Sequence, residues 1–266
     1  MNEPLPVERV ARPSREEFHR RWVKPGQPVI ITGVVEEWPA WTKWSLQYFR
    51  EHFANRKIPI LPLTQGYTRP NVEDRVEYDE HVTLGQYLEK EIAAAAGARA
   101  PCGYMMGRLR EFLPETEPDL PVPALAPSAP WGFQKWWLSA PGTVSVLHTD
   151  LPDNLFAQIV GQKRVMLFPP RDEFRLYREP LWSTVPMCSR VDPEVPDYQR
   201  FPRLRGAHPR SLLLGPGDLL YIPRRWWHHV RTLETSISVS YWWSTGLNYL
   251  VIRCALAYQN LRKLVY

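Results

Sequence analysis

The sequence predicts a mainly β domain of antiparallel sandwich or barrel-like type, with an α/β elaboration before it and a helix after it. Three observations carry this reading. From about residue 133, short runs rich in β-branched and aromatic residues follow one another: FQKWWLS, TVSVLHTD, NLFAQIV, KRVMLF, RSLLL, DLLYIP, HHVRTL and TSISVSYWW. Many short strands at such spacing belong to sandwiches and barrels. Turn chemistry separates them, at Pro141-Gly142, Gly161, Pro169-Pro170 and Gly215-Pro216-Gly217-Asp218, because glycine and proline supply the dihedral angles that end a strand. Before residue 100 the texture differs, alternating helix-like and strand-like segments.

Taken in order, Ser14 followed by Glu17 has the form of a capping box and opens a short helix over SREEFHRRWV. PVIITGVV (28–35) is a β-branched run bounded by Pro and Gly and reads as a strand. SLQYFREHF (45–53) reads as a helix and KIPILPL (57–63) as extended chain. Thr83 caps a helix through LGQYLEKEIAAAA, which is rich in strong helix formers. Residues 114–131 hold Pro114, Pro118, Pro121, Pro123, Pro127 and Pro130, a density that excludes helix and central strand. An irregular connection is expected there, anchored by Leu113, Leu120, Val122, Leu125 and Trp131. A long charged insertion at about 171–210 interrupts the strands and reads as a lid or a surface excursion. LNYLVIRCALAYQNLRKLV has apolar residues at helical spacing and no proline. The expected organisation is an N-terminal region (1–100) packed on a core (101–245), then a C-terminal helix (246–266).

The totals fit a globular protein: 266 residues, 44% of them hydrophobic, suffice for one large domain with a sizeable core. No apolar run approaches the roughly 18 residues of a membrane helix, and MNEPLPVERVARPSREEF has no apolar signal region. No membrane association and a cytoplasmic location are therefore expected. Cys102, Cys188 and Cys254 form no CxxC pair, which argues against a disulfide framework and a structural zinc site. The net charge of +5 comes with only loose clusters such as Arg203, Arg205, His208 and Arg210. Such a balance admits an acidic partner without requiring one.

The chemistry concentrates in VSVLHTD (144–150). On a strand, residues two apart share a face, so His148 and Asp150 point the same way and can chelate one metal ion. His228, after the apolar run DLLYIPRRWW, is the candidate third ligand. Two histidines and a carboxylate on one face of an octahedral ion are the facial triad of non-heme iron oxygenases; the same donor types also bind zinc. In GQKRVMLF, Lys163 shares a face with Val165 and Leu167, and Arg164 shares the other with Met166 and Phe168. One of these cations therefore points into apolar surroundings, where it needs a partner. A bound dicarboxylate would be one; snorkelling to a strand edge is the alternative. On the last strand Ile237, Val239 and Tyr241 alternate with Ser236, Ser238, Ser240 and Trp242, a face of small hydroxyls that either leaves room for a ligand or is solvated. Asn154 either bonds ligand oxygens or caps the Pro152-Asp153 turn.

Together, HTDLPDNLFAQIVGQKRVMLFPP, GPGDLLYIPRRWWHHV and SISVSYWW resemble the JumonjiC, cupin-like 2-oxoglutarate oxygenases. The likeness is to their small hydroxylase branch, which includes the asparaginyl hydroxylase of hypoxia-inducible factor and the tRNA wybutosine hydroxylase. VIITGVVEEWPAWTKWSLQYF is more weakly similar to the opening of that branch. The resemblance implies a double-stranded β-helix (cupin or jelly-roll) core. It implies an Fe(II) centre held by His148, Asp150 and His228, with 2-oxoglutarate and O2 as co-substrates. It further implies that Lys163 binds the distal carboxylate of 2-oxoglutarate, assisted by Tyr104 of CGYMMG and by Ser145. Asn154 would lie near the metal-bound end of the co-substrate, and Ser240 stands where some relatives have Asn. Trp242 would pack behind the site, and His229 would be structural. The implied activity is hydroxylation of a protein or peptide side chain. Alternatives are hydroxylation of a modified tRNA base, tailoring of a small molecule, and a cupin-like binding protein without catalysis. Demethylation would follow where the target carbon carries a methylated nitrogen; the lack of a chromatin-reader or zinc module in the chain favours hydroxylation. A homodimer through the C-terminal helix is the expected assembly.

Overall fold

The computed structural model describes residues 1–68, 82–92, 101, 103–127, 131–183 and 185–254. Cys102, Ala93–Ala96, Pro130 and the C-terminal helix beyond residue 254 lie outside them. The described strands are β1 (Glu8–Ala11), β2 (Val29–Thr32), β3 (Ile60–Pro62), β4 (Gly103–Gly107), β5 (Trp131–Ser139), β6 (Val144–Thr149), β7 (Asp153–Val160), β8 (Lys163–Phe168), β9 (Arg210–Leu214), β10 (Leu219–Ile222), β11 (Trp227–Thr232) and β12 (Ser236–Ser244). They form an eight-stranded sheet, β1-β2-β10-β7-β12-β5-β4-β3, and a four-stranded sheet, β6-β11-β8-β9. All pairings are antiparallel except β1 with β2. The expected jelly-roll core is present, and strands of the N-terminal region extend both edges of its larger sheet.

Alternation along the strands sorts the side chains into three apolar layers. Leu155, Ala157, Ile237, Val239 and Tyr241 leave the large sheet toward the N-terminal helices and meet Phe18, Trp22, Trp38, Trp44 and Phe49. Between the sheets, Phe156 and Leu220 face Val165 and Leu167. On the outer face of the small sheet, Leu147, Phe168 and Trp227 pack on Leu176, Val191, Phe201 and Leu204 of the insertion. The 171–210 insertion is thus a packed third layer, with short 3-10 helices at Pro170–Arg175 and Pro202–Gly206.

The expected helix starts are present. Ser14, Ser45 and Thr83 each accept a hydrogen bond from the backbone N–H three residues on. At Thr83 the box is reciprocal, with Gln86 reaching back to the cap. At Ser14 the expected partner Glu17 instead accepts from Arg21 at 2.8 Å. The 114–131 segment departs from expectation: Pro114–Asp119 forms a 3-10 helix. Pro114 starts it, at a position where a missing N–H costs nothing, and buried Asp119 ties its end to Lys43 and Trp44. β1 and β4 were not legible in the sequence. ERVA is largely exposed and GYMMG is flanked by glycines, so neither shows a strand's apolar pattern.

Candidate metal centre

β6 and β11 are neighbours in the small sheet, and their register sets His148 directly opposite His228. Their ring centroids are 4.1 Å apart. Each ring is fixed by the carbonyl two residues before it: His148 Nδ1 lies 2.7 Å from Val146 O and His228 Nδ1 lies 3.1 Å from Trp226 O. A carbonyl only accepts, so both Nδ1 atoms carry a proton and both Nε2 atoms are the ring positions left for a metal. Asp150 follows one residue beyond β6, with Oδ2 3.7 Å from His228 Nε2 and accepting from Trp242 Nε1 at 3.1 Å. The potential ligand atoms of His148, Asp150 and His228 all lie within 4.8 Å of one another. Burial, and then the adjacent His148, hold the His228 imidazole down at about 4 despite Asp150, so it is neutral at physiological pH, the form a metal ligand takes.

The three converge on the wall of a cavity of about 530 Å³ between the sheets, within the usual size range for small-molecule sites. Tyr104, Ser145, Asn154 and Ser240, the residues to which the family resemblance pointed, all line this cavity. Tyr104 hydrogen-bonds Ser145, and burial pushes its hydroxyl up. Asn154 is buried, and its Oδ1 has no hydrogen-bond partner, an orphaned acceptor beside the three donors. Ser240 accepts from Trp137 Nε1 at 2.9 Å. Of the other hydroxyls on that face, Ser238 is engaged by Gln158 and Ser236 by the Glu234 carbonyl.

Lys163 resolves the choice between two adjacent cations: it is fully buried, while Arg164 is exposed. It is not among the residues lining the cavity. Its Nζ donates to Ser139 Oγ at 2.9 Å and Thr232 Oγ1 at 3.2 Å, and lies 5.8 Å from the Tyr104 ring. Burial lowers its pKa to about 7. It does not snorkel to an edge. Trp242 lines the cavity and holds Asp150 rather than packing behind the site. His229 points away, buried with Nε2 3.4 Å from Glu194 Oε2.

Several lining residues escaped the sequence reading. Lys135 and Trp137 share the inward face of β5 with Ser139, a signal that period-two alternation carried. Lys135 Nζ sits 4.7 Å over the Trp137 ring, and burial lowers it to about 8 although Asp150 opposes the shift. Met187 and Cys188 of the insertion also line the cavity. They are placed by backbone bonds to β6, Thr149 N to Met187 O at 2.9 Å and Ser189 N to Leu147 O at 2.8 Å, and no local pattern announces them.

Residues 14–249 match the profile of the cupin-like domain family. The chain belongs to the cupin-like JumonjiC oxygenase family. It is 33% identical over 238 residues to Lysine-specific demethylase 8 of Xenopus tropicalis, covering 87% of this chain and 51% of that protein. To human Bifunctional peptidase and (3S)-lysyl hydroxylase JMJD7 it is 26% identical, covering 90% and 84%. To human tRNA wybutosine-synthesizing protein 5 it is also 26% identical, covering 90% and 78%. This JumonjiC chain spans about half the length of the demethylase it matches. The family is in general iron(II)- and 2-oxoglutarate-dependent, and the donor set described above suits it: two imidazoles, one carboxylate and an unpartnered amide oxygen beside them.

Proposed function

We propose that this protein is an Fe(II)- and 2-oxoglutarate-dependent dioxygenase that hydroxylates a protein or peptide side chain. The convergence of His148, Asp150 and His228 on one cavity wall carries the reading. These residues would hold iron on one face and leave its other positions to co-substrate and oxygen. Iron, with 2-oxoglutarate and O2, supplies the oxidising power that converts a C–H bond to C–OH.

The chain's own residues do the positioning. The Val146 and Trp226 carbonyls fix the imidazole tautomers, and Trp242 aims the Asp150 carboxylate. Asn154 Oδ1 and the adjoining amide serve the metal-bound end of the co-substrate. Tyr104 and Ser145 would receive its other end, and Lys163, buried next to Tyr104 with Nζ 5.8 Å from that ring, would be the cationic partner of the distal carboxylate. Ser240 shapes the wall between. Phe156, Val165, Leu220 and Ile222 give the cavity an apolar lining.

Relatives named for lysine demethylation and lysyl hydroxylation support a protein substrate. A relative named for tRNA wybutosine synthesis supports the second reading, a modified tRNA base. The test is conversion of 2-oxoglutarate to succinate by the iron-loaded protein, with mass spectrometry for oxygen addition across peptide and RNA pools. Wild type should turn over and His148→Ala should not. Equal turnover by both, or absence of iron binding by wild type, would sink the reading; oxygen added only to RNA would select the second.

A further inference from the structure

A second cleft, of about 640 Å³, opens where the N-terminal helix region meets the 223–226 turn and the start of the insertion. Lys24, Arg171, Arg210 and Arg224 line it, beside His208 and Trp226. Among the described residues, none of these four cations has an acidic partner. Arg210 bonds the neutral Gln27 at 3.0 Å and lies over the Trp226 ring. Burial, and then the nearby Arg171, lower its pKa, so like charges crowd here.

Several arginines elsewhere in the fold are paired. Arg9, Arg175, Arg178 and Arg231 are each neutralised by a carboxylate within 3.0 Å. Arg225 turns to Glu173 at 3.5 Å, while Arg224 beside it faces the cleft. A left-handed backbone at Arg225 (φ 65°) separates the two. Among the described residues the one carboxylate lining the cleft is Asp153, and it is already used by the Tyr221 hydroxyl at 2.7 Å and the Arg224 backbone N–H at 3.1 Å. The Asp172 carboxylate that meets His208 is shared with Arg175.

From this we infer that the cleft is a binding site for a phosphate-bearing ligand, separate from the metal cavity. Three guanidinium groups and an ammonium gathered in one concavity exceed what a single carboxylate would neutralise, and the guanidinium fork matches phosphate oxygens. The unmatched charge also makes binding salt-sensitive. The cleft is coupled to the metal centre through the 223–226 turn: Arg225 N donates to Asp150 O at 2.7 Å, and the Trp226 carbonyl holds His228.

Free phosphate and a polynucleotide backbone present the same chemistry, so the test carries both. Binding of inorganic pyrophosphate and of a short labelled oligoribonucleotide is measured calorimetrically and by fluorescence anisotropy. The proteins are wild type, Arg171→Glu/Arg224→Glu, the milder Arg171→Gln/Arg224→Gln, and a remote control, Arg50→Glu/Arg190→Glu. Arg171 and Arg224 are exposed, as are Arg50 and Arg190, so all four proteins should melt alike. The expected result is a loss of about tenfold or more in the cleft variants, with the control near wild type. The tighter of the two probes names the source of the phosphate. Equal loss in the control, no binding of either probe by wild type, or displacement by poly-glutamate as effective as by pyrophosphate would overturn the inference; the last would assign the cleft to an acidic polypeptide.

Discussion

Lys163 shows what a single buried cation does to the energetics of this fold. It titrates at about 7 in the folded protein against 10.5 in its ordinary state, because hydroxyls replace water around the ammonium. Between those values the unfolded chain binds more protons than the folded one, so stability rises with pH across that window. Below about pH 7 both states are charged and the burial penalty is present in full. Lys163→Met should therefore raise the melting temperature most below neutrality, and the gain should shrink as pH climbs toward about 10. A gain independent of pH would mean that the side chain's packing, not its charge, is at issue. The proposed role explains why such a cost is tolerated: a dicarboxylate reaching Lys163 converts the penalty into an ion pair.

At the scale of elements, the turns decide whether the ligand strands align. Gly161 closes the β7–β8 turn with φ 72°, and a Cβ there would lie 2.2 Å from Thr235 O, on the connection between β11 and β12. Gly161→Ala combines left-handed strain with a backbone clash, so we expect a loss of more than about 2 kcal/mol, read as a lowered urea midpoint. An unchanged midpoint would show that the two turns move apart freely. Such punctuation was legible: Gly161, Pro169-Pro170 and Gly215–Asp218 marked strand ends correctly. Alternation also showed that one of Lys163 and Arg164 points inward and that Ser240 shares a face with Ser236 and Ser238, but left open which cation it is and whether that face meets a ligand or solvent. The HxD spacing needed only a strand's two-residue period, whereas His228 joins it through the long-range pairing of β11 with β6. What stayed hidden depends on long-range contact. β1 pairs with β2 through an exposed sequence, Pro114–Asp119 is stabilised by Lys43 and Trp44, and Met187 reaches the site by hydrogen bonds across the fold.

For the molecule as a whole, metal and stability should be linked. The three donors come from β6, the residue after it, and β11, so an ion that binds them holds two strands together and favours the folded state by mass action. Adding Mn(II) under anaerobic conditions should raise the melting temperature of wild type, by the equivalent of about 2.7 kcal/mol at a hundredfold excess over Kd. Asp150→Ala should lose the shift. An equal rise in both proteins would place the ion elsewhere. The cavity's outer wall is assembled from distant parts of the chain: Arg108 after β4, Met187 in the insertion and Ile252 on the helix at 246–254. The shape of the cavity therefore depends on the whole fold rather than on β6 and β11 alone.

β6, which carries one proposed ligand, His148, and leads directly into another, Asp150, is an edge strand of the small sheet. Its open side is covered by residues 66–68 at one end and 187–189 at the other. The segment that stiffens the ligand strand is thus the one that contributes Met187 and Cys188 to the cavity wall. Divergence in that segment cannot adjust which molecules fit without also adjusting how firmly the ligands are held. In this scaffold selectivity and rigidity are inherited together, and a new specificity acquired through the insertion must arrive with its own repair of the β6 edge.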